Sequence, residues 1–285
     1  MHPAFRLELP PETTSAVVVA SPHSGRYYAP SFLAASVLDE RVIRSSEDAF
    51  MDRLVTAAPS LGAPLLAAEW PRAYLDLNRG ADELDPGVVD GVARGVQTPR
   101  INSGLGVVPR VVANGRAIYR GKLTRAEAEA RIEQIWRPYH TELTRLMAAA
   151  KADFGKAVLL DFHSMPHEAL DAIARPGTPR PQIVLGDRFG ASADSEIVDV
   201  LEQGFLDAGL IVSRNAPFAG AYVTHRYGRP AKGHHAIQIE IDRRLYMNER
   251  MIRPNSNFEA MKQIVAQVLS RVIGALPGRV PLAAE

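Results

Sequence analysis

Short apolar runs alternate along the chain with longer segments of helical periodicity. The runs predict strands at residues 16–20, 64–68, 73–77, 157–162, 182–185, 210–213 and 236–241. Continuously apolar stretches such as the one that begins at 157 are typical of strands covered on both faces of a sheet. The alternation predicts an α/β fold.

Helix signals lie between these strands. Ser46 is expected to cap a helix that holds Asp48 in its first turn. Thr124 and Glu127 match a capping box before a long helix, which Pro138 is expected to kink or split. Two more amphipathic helices are predicted, one ending at Gly209 and one over residues 258–272.

The chain of 285 residues can bury the core of one large α/β domain. We find no internal repeat and no interior linker, so a single domain over 1–285 is expected, with its core at about 12–275. Residues 79–121 are rich in Gly, Pro and Arg and have weak periodicity. Such a long excursion inside a domain is typical of a lid or a substrate-side wall.

The composition is 46% apolar and 23% charged, as in ordinary globular proteins. The 33 basic and 32 acidic residues leave a net charge of +1 without blocks of like charge, which disfavours a nucleic-acid partner. No apolar run reaches the length of a membrane span and the start has no leader pattern, so a cytoplasmic protein is expected. The absence of cysteine means that any metal must be held by His and carboxylate side chains.

Several common catalytic motifs are missing from the sequence. It contains no P-loop, no dinucleotide-binding glycine motif, no zincin motif and no nucleophile elbow. Ser24 and Ser164 each directly follow a histidine, and adjacent residues rarely face each other in triad geometry. A serine hydrolase is therefore disfavoured.

Two histidines follow predicted strands in the same arrangement. His23 comes after strand 16–20 and His163 comes after strand 157–162, each followed by serine. Because parallel strands end at one edge of a sheet, the two imidazoles are expected to converge. Asp161 is placed to accept the ring N–H of His163. For either histidine alone, a turn residue satisfied by the backbone is the alternative.

A catalytic zinc needs a third protein ligand. Asp48 and Asp52 are four residues apart on the predicted helix, and either is a candidate, although acids there also complement the helix dipole. His234 and His235 at a loop-to-strand junction are the alternatives to His23. Zinc is favoured by ligand type, and iron, cobalt or manganese also fit.

Glu240 lies in the middle of an apolar strand, where a charge is costly unless it is paired or functional. It is a candidate general base, with an ion pair to Arg243 or Arg244 as the alternative. Asn78 and Arg79 form a candidate clamp for a substrate carboxylate, with a structural ion pair of Arg79 as the alternative.

Residues 222–230 form a polar, aromatic and cationic loop before the last strand. They offer further anion-binding donors in His225, Arg226 and Arg229. A surface or capping role is expected for Tyr139 and His140, and His2 and His167 carry no signal.

Six segments in register between residues 16 and 249 resemble the N-formylglutamate amidohydrolase family. They read SPHSGRYY, EDAFMDRL, YLDLNRGADELDP, WRPYHTEL, LLDFHSMP and YGRPAKGHHAIQIEIDRRLYMNE. The resemblance implies a zinc-dependent hydrolase that cleaves N-formyl-L-glutamate into formate and L-glutamate, the last step of one route of histidine catabolism. It also implies kinship with zinc carboxypeptidases and with aspartoacylase and succinylglutamate desuccinylase. The implied fold is a three-layer α/β/α sandwich with a mixed, largely parallel sheet of about eight strands.

The resemblance also assigns roles to residues of this sequence. It implies that His23, Asp48 and His163 bind one zinc ion, with Glu47 as the fallback for Asp48, and that Glu240 is the base. It also matches Asp76, Asn78 and Arg79 to the family's carboxylate-binding element. With the residue patterns described above, the expected substrate-binding residues are Asn78, Arg79, Arg229 and Arg243, and the expected supports of the ligands are Asp76, Asp161 and Ser24.

Two other functions stay open. The first is a zinc-dependent hydrolase for another N-acyl amino acid or a small peptide. The second is a non-enzymatic α/β module that binds a small anion. In all three readings the partner is a small anionic molecule, and the sequence does not give the oligomeric state.

Overall fold

The computed structural model describes residues 2–93, 98–173, 177, 179–276 and 278–279. The strands are β1 (Phe5–Glu8), β2 (Val17–Ser21), β3 (Leu65–Ala68), β4 (Ala157–Met165), β5 (Ile183–Gly186), β6 (Val212–Arg214), β7 (His234–Asp242), β8 (Met247–Asn248) and β9 (Arg253–Pro254). The α-helices are α1 (Pro30–Ala35), α2 (Glu40–Ile43), α3 (Met51–Leu54), α4 (Pro99–Asn102), α5 (Arg125–Arg131), α6 (Arg137–Phe154), α7 (Ser195–Asp207), α8 (Tyr222–Tyr227) and α9 (Phe258–Ala275). A π-helical turn, Ile132–Trp136, joins α5 to α6.

Seven strands form one mixed sheet in the order β1-β3-β2-β4-β7-β5-β6, flanked by helices. Strand β4 pairs in parallel with β2 and β7, β5 pairs in parallel with β6, and β5 runs antiparallel to β7. Every residue of β2 and β4 is buried, as their continuous apolar runs predict for strands covered on both faces. The α/β class with a mixed, largely parallel sheet is therefore confirmed, with seven strands rather than about eight.

The chain divides into two compact units. One comprises Met1–Arg6, Pro22–Ala49 and Ala67–Glu142, and the other comprises Leu7–Ser21, Phe50–Leu66 and Leu143–Glu285. In the first, Phe32, Ile43 and Ile118 belong to an apolar core cluster. In the second, Met165, Leu170 and Val184 form another. A single domain over the whole chain stays a prediction.

One predicted strand is wrong. Residues 73–77 form turns and irregular backbone instead. Their apolar side chains, Ala73, Leu75 and Leu77, are buried as predicted, but their backbone pairs with no strand. The amide of Asp76 donates instead to the carbonyl of Val107. A short apolar run records burial and cannot by itself specify a strand partner.

The helix start predicted at Ser46 is also wrong. Ser46 ends a 3₁₀ turn, and α3 begins only at Met51, after Phe50 in the left-handed region with φ 66°. Asp48 therefore lies outside the helix and Asp52 lies inside it, so the two do not share a helix face. The loop predicted over 222–230 is helical over most of its length, as α8.

Other helix signals are confirmed. Thr124 and Glu127 form the capping box of α5. The break expected at Pro138 is the π-helical turn just before it. Proline has no N–H to donate to the carbonyl of residue 134, and the π-turn shifts the bonding so that Arg137 donates to Ile132. Among the described residues, no helix has the length and apolar character that crossing a bilayer requires.

Candidate metal and anion site

Three buried side chains form a group that can hold a metal ion. His23, Asp48 and His163 each offer a ligand atom, and these atoms lie within 4.8 Å of one another. Their relative exposures are 1%, 0% and 2%. Burying a carboxylate as completely as Asp48 is costly unless a cation or hydrogen bonds compensate it. A group of two imidazoles and one carboxylate suits a divalent transition metal.

Each histidine of the group has one ring nitrogen held by a carboxylate. His23 Nε2 lies 2.7 Å from Asp76 Oδ1, and His163 Nε2 lies 2.8 Å from Asp161 Oδ2. A carboxylate acceptor fixes the ring tautomer with the proton on Nε2, so Nδ1 is the nitrogen that would coordinate a metal. His23 Nδ1 lies 3.5 Å from Asp48 Oδ2. Ligand atoms of a tetrahedral zinc site are about 3.3 Å apart, so this spacing fits a shared ion.

Backbone contacts explain how His23 and Asp48 come together. The amide of Asp48 donates to the carbonyl of His23 at 3.0 Å. Glu47, the predicted fallback ligand, is committed elsewhere, because Arg44 donates to both of its carboxylate oxygens and the Tyr28 hydroxyl donates to Oε2. Burial first, and then the charge of Glu47, raises the pKa of Tyr28 well above its usual value, so Tyr28 stays a neutral donor.

The register of β4 and β7 places Glu240 opposite His163. Partner residues on neighbouring strands point to the same face of a sheet, so Glu240 lies on the face of β4 that carries His163. Glu240 is 8% exposed, and its Oε1 accepts a hydrogen bond from Gln238 Nε2 at 2.9 Å. The strand thus presents a buried, oriented carboxylate beside the histidine.

The strand β4 is longer than predicted and includes His163. Its parallel pairing with β7 continues as far as Met165 and Asp242. His163 is therefore a strand residue, whereas His23 follows the end of β2. Since Ala20 in β2 pairs with Asp161, both histidines nevertheless come from the carboxyl-terminal ends of parallel neighbouring strands, as predicted.

Asp76 and Arg79 lie in the irregular segment that replaces the predicted strand. Burial raises the pKa of Asp76, but the charges of His23, Arg72 and Arg79 and the hydrogen bond from His23 outweigh burial and hold this pKa well below its usual value. The Arg79 side chain is buried, and burial lowers its pKa. In the described part of the chain no carboxylate oxygen lies within 4 Å of the Arg79 guanidinium, and Asp76 interacts with its charge only at longer range.

Backbone carbonyls position the Arg79 guanidinium. Its Nε donates to the carbonyl of Leu105 at 2.8 Å, and its Nη1 donates to the carbonyl of Asn78 at 2.7 Å. Within the described residues, Nη2 of Arg79 is left for another acceptor. A buried guanidinium fixed through two of its nitrogens is a preformed anion site.

The remaining candidates are placed as follows. His234 and His235 begin β7, at the opposite end of that strand from Glu240 and roughly 17–20 Å away at 3.3 Å per residue. His225, Arg226 and Arg229 are exposed. Arg243 is buried and donates to Ser164 Oγ, which belongs to the other face of β4 than His163. Ser24 is buried.

Sequence reasoning missed two features. His140 is 5% exposed and its Nε2 lies 2.9 Å from the carbonyl of Leu77, so the expected surface role is wrong. The signal for burial was present in the segment WRPYHTEL, because His140 stands there at helical spacing from Trp136 and Leu143. His167, which has no sequence signal, pairs through Nδ1 with Asp242 Oδ2 at 2.7 Å, and this contact links distant parts of the sequence.

The sequence and the fold both have known relatives. A family described as N-formylglutamate amidohydrolase matches residues 15–247. The chain is 31% identical to an N-formylglutamate deformylase of Pseudomonas aeruginosa, over 82% of this chain and 83% of that one. It is 30% identical to an N-formylglutamate deformylase of Pseudomonas putida, over 91% of each.

Solved structures also resemble this chain in fold. The crystal structure of an N-formylglutamate amidohydrolase from Ralstonia eutropha superposes with a TM-score of 0.89 at 34% identity, covering 95% of this chain and 98% of that one. A gene product of Agrobacterium tumefaciens, at 19% identity and a TM-score of 0.68, shares the fold, with 96% of each chain covered.

We expect Gly25→Ala to destabilise the protein. A Cβ at Gly25 would lie 2.1 Å from the carbonyl oxygen of Trp70, and backbone cannot yield as a side chain does. Overpacking of this kind lowers the free energy of unfolding by about 1–3 kcal/mol or more. Urea denaturation of the variant measures this loss. Gly274→Ala is the control, because a Cβ there meets nothing within 4 Å. An unchanged urea midpoint for Gly25→Ala would contradict the packing described.

Proposed function

Because the chain belongs to the N-formylglutamate amidohydrolase family, we propose that it hydrolyses N-formyl-L-glutamate to formate and L-glutamate with the help of a divalent metal ion. The observation that carries the metal dependence is the buried group of His23, Asp48 and His163. Its donor set favours zinc. The names of the relatives support the formyl substrate.

In this proposal the residues have distinct tasks. His23, Asp48 and His163 would hold a divalent ion, which would supply a Lewis acid for activating a water and polarising the formyl carbonyl. Glu240 accepts the proton of the attacking water and delivers it to the leaving amine. Gln238 keeps the Glu240 carboxylate oriented through its hydrogen bond to Oε1. Asp76 and Asp161 hold the two imidazoles in the ligating tautomer.

Arg79 is proposed to bind a carboxylate of the substrate. Its buried guanidinium is held by two backbone carbonyls, and among the described residues no carboxylate lies within ion-pair distance of it. A cation fixed in this way orients the substrate through a group remote from the reacting bond. An N-acyl amino acid always carries such a carboxylate, which is the reason that the site suits this substrate class.

Removal of the metal is the first test. We expect a strong chelator to abolish formate release from N-formyl-L-glutamate, and zinc to restore it. Elemental analysis of protein purified without a metal-affinity tag is expected to give about one metal ion per chain, set by three protein ligands. Full activity of metal-free protein would contradict the proposal. If the enzyme released glutamate faster from a longer N-acyl glutamate than from N-formyl-L-glutamate, the alternative deacylase function would be favoured.

Substitution of Glu240 tests the base. Glu240→Gln keeps the shape and the burial but cannot accept the proton, so kcat should fall by about 10²–10⁴ while the metal content stays unchanged. Glu259→Gln, at an exposed position in α9, is the matched control and should retain full activity. A Glu240→Gln enzyme within a few-fold of the unsubstituted kcat would remove Glu240 from the mechanism.

Substitution of Arg79 tests the anion site. Arg79→Met removes the charge, and we expect KM for N-formyl-L-glutamate to rise by about 10²-fold, as for loss of a charge-assisted hydrogen bond in a buried site. Arg79→Lys should be intermediate, because lysine keeps the charge and loses the planar fork. Arg137→Met, at an exposed arginine in α6, is the control. An unchanged KM in Arg79→Met would assign carboxylate binding elsewhere.

A further inference from the structure

Three side chains of the helical region after residue 125 hydrogen-bond backbone carbonyls of the irregular segment 74–79. Arg131 Nη1 donates to the carbonyl of Tyr74 at 3.0 Å. Trp136 Nε1 donates to the carbonyl of Arg79 at 2.8 Å, and His140 Nε2 donates to the carbonyl of Leu77 at 2.9 Å. A carbonyl can only accept, so the His140 proton is on Nε2. These contacts replace the strand hydrogen bonds that segment 74–79 lacks.

A regular α-helix cannot present these three side chains together. At 3.6 residues per turn, Arg131 would point about 140° away from Trp136 and about 180° away from His140. The π-helical turn Ile132–Trp136 adds the extra residue that brings positions five apart onto one face. Its position just before Pro138 makes the turn a consequence of the sequence.

Neighbouring contacts stiffen this arrangement. The Arg131 guanidinium also donates to the Tyr119 hydroxyl at 2.7 Å and lies 3.9 Å from the centre of the Tyr74 ring. The rings of Trp136 and His140 lie 4.1 Å apart between centroids. Arg131 and His140 are 7% and 5% exposed. Buried donors that lose their acceptors carry a large desolvation cost, so the contacts define one relative position of helix and segment.

Two backbone carbonyls outside the helical region also hold the segment. The amide of Asp76 donates to the carbonyl of Val107 at 2.8 Å, and Arg79 Nε donates to the carbonyl of Leu105. The segment is thus held by several independent hydrogen bonds. It carries Asp76, the partner of His23, and Arg79, the proposed anion-binding residue. Its backbone position sets both.

We propose that Arg131, Trp136 and His140 are positioning residues, which the π-helical turn aligns so that they fix the segment bearing Asp76 and Arg79. The inference rests on the proposed function for its kinetic consequence, since Arg79 is the proposed carboxylate donor there. Trp136 acts on the anion site through the carbonyl of Arg79 itself. His140 acts on the metal group through Leu77, next to Asp76.

The two tryptophans of the chain supply a matched pair of variants for the anion site. Trp136→Phe removes the N–H that donates to the Arg79 carbonyl. Trp70→Phe removes an N–H that is buried without a partner in the described structure, and it keeps an aromatic ring to stack on Tyr74. We expect Trp136→Phe to raise KM for N-formyl-L-glutamate about five- to tenfold with kcat within about twofold. Trp70→Phe should change neither. Equal KM values for the two variants would overturn the inference.

A second pair addresses the metal group. His140→Ala removes the donor to Leu77, and His140→Gln keeps an N–H at the same distance along the side chain. We expect His140→Ala to lose zinc at about tenfold lower chelator concentration, the scale of effects from residues that orient metal ligands, and His140→Gln to restore retention. Zinc retention in His140→Ala equal to that of the unsubstituted protein would overturn this part.

A readout without turnover separates this inference from the proposed function. Amide hydrogen exchange of peptides over residues 74–80 should quicken in Trp136→Phe and His140→Ala, with α9 unchanged, and should not quicken in Trp70→Phe. If the unsubstituted enzyme left N-formyl-L-glutamate intact, the proposed function would fail while exchange and zinc retention still decided the positioning role. If it hydrolysed this substrate and the exchange was the same in all variants, the positioning role alone would fail.

Discussion

The candidate site depends on one interaction made twice, the hydrogen bond from a buried imidazole to a buried carboxylate. His23 pairs with Asp76 and His163 with Asp161. Each pair leaves the same ring nitrogen, Nδ1, to coordinate. The two carboxylates are held by different means, since Asp161 is in the strand of its own histidine and Asp76 lies 53 residues beyond His23. The Asp161 contact is therefore local in sequence, whereas the Asp76 contact depends on the fold bringing distant residues together.

The local support follows from strand geometry alone. Alternate residues of a strand face the same way, so Asp161 and His163 in β4 share a face, as do Gln238 and Glu240 in β7. Parallel pairing then sets His163 opposite Glu240. A shift of one residue in this register would turn the ligand and the proposed base to opposite faces.

The sequence predicted these strand residues well and the irregular segment badly. Glu240 stands in a run whose burial and period can be read directly, His163 directly follows such a run, and the burial of the apolar side chains at residues 73–77 was also predicted correctly. The apolar run at residues 73–77 could not indicate which groups its backbone would hydrogen-bond. These are a carbonyl 31 residues onward, at Val107, and side chains in a helix that begins at residue 125. His140 was misjudged for the same reason, because its acceptor, the carbonyl of Leu77, lies 63 residues earlier in the chain.

Asp76 makes the metal group and the anion site dependent on each other. Its Oδ1 lies against His23 Nε2 and accepts the amide of Asn78, two bonds that fix the turn leading to Arg79. A backbone change that moves Arg79 must alter the turn, and hence the acceptor that holds the His23 tautomer. Leu105 and Val107 take part in their hydrogen bonds to this turn only through their backbone carbonyls, so substitution of either side chain leaves both acceptors in place.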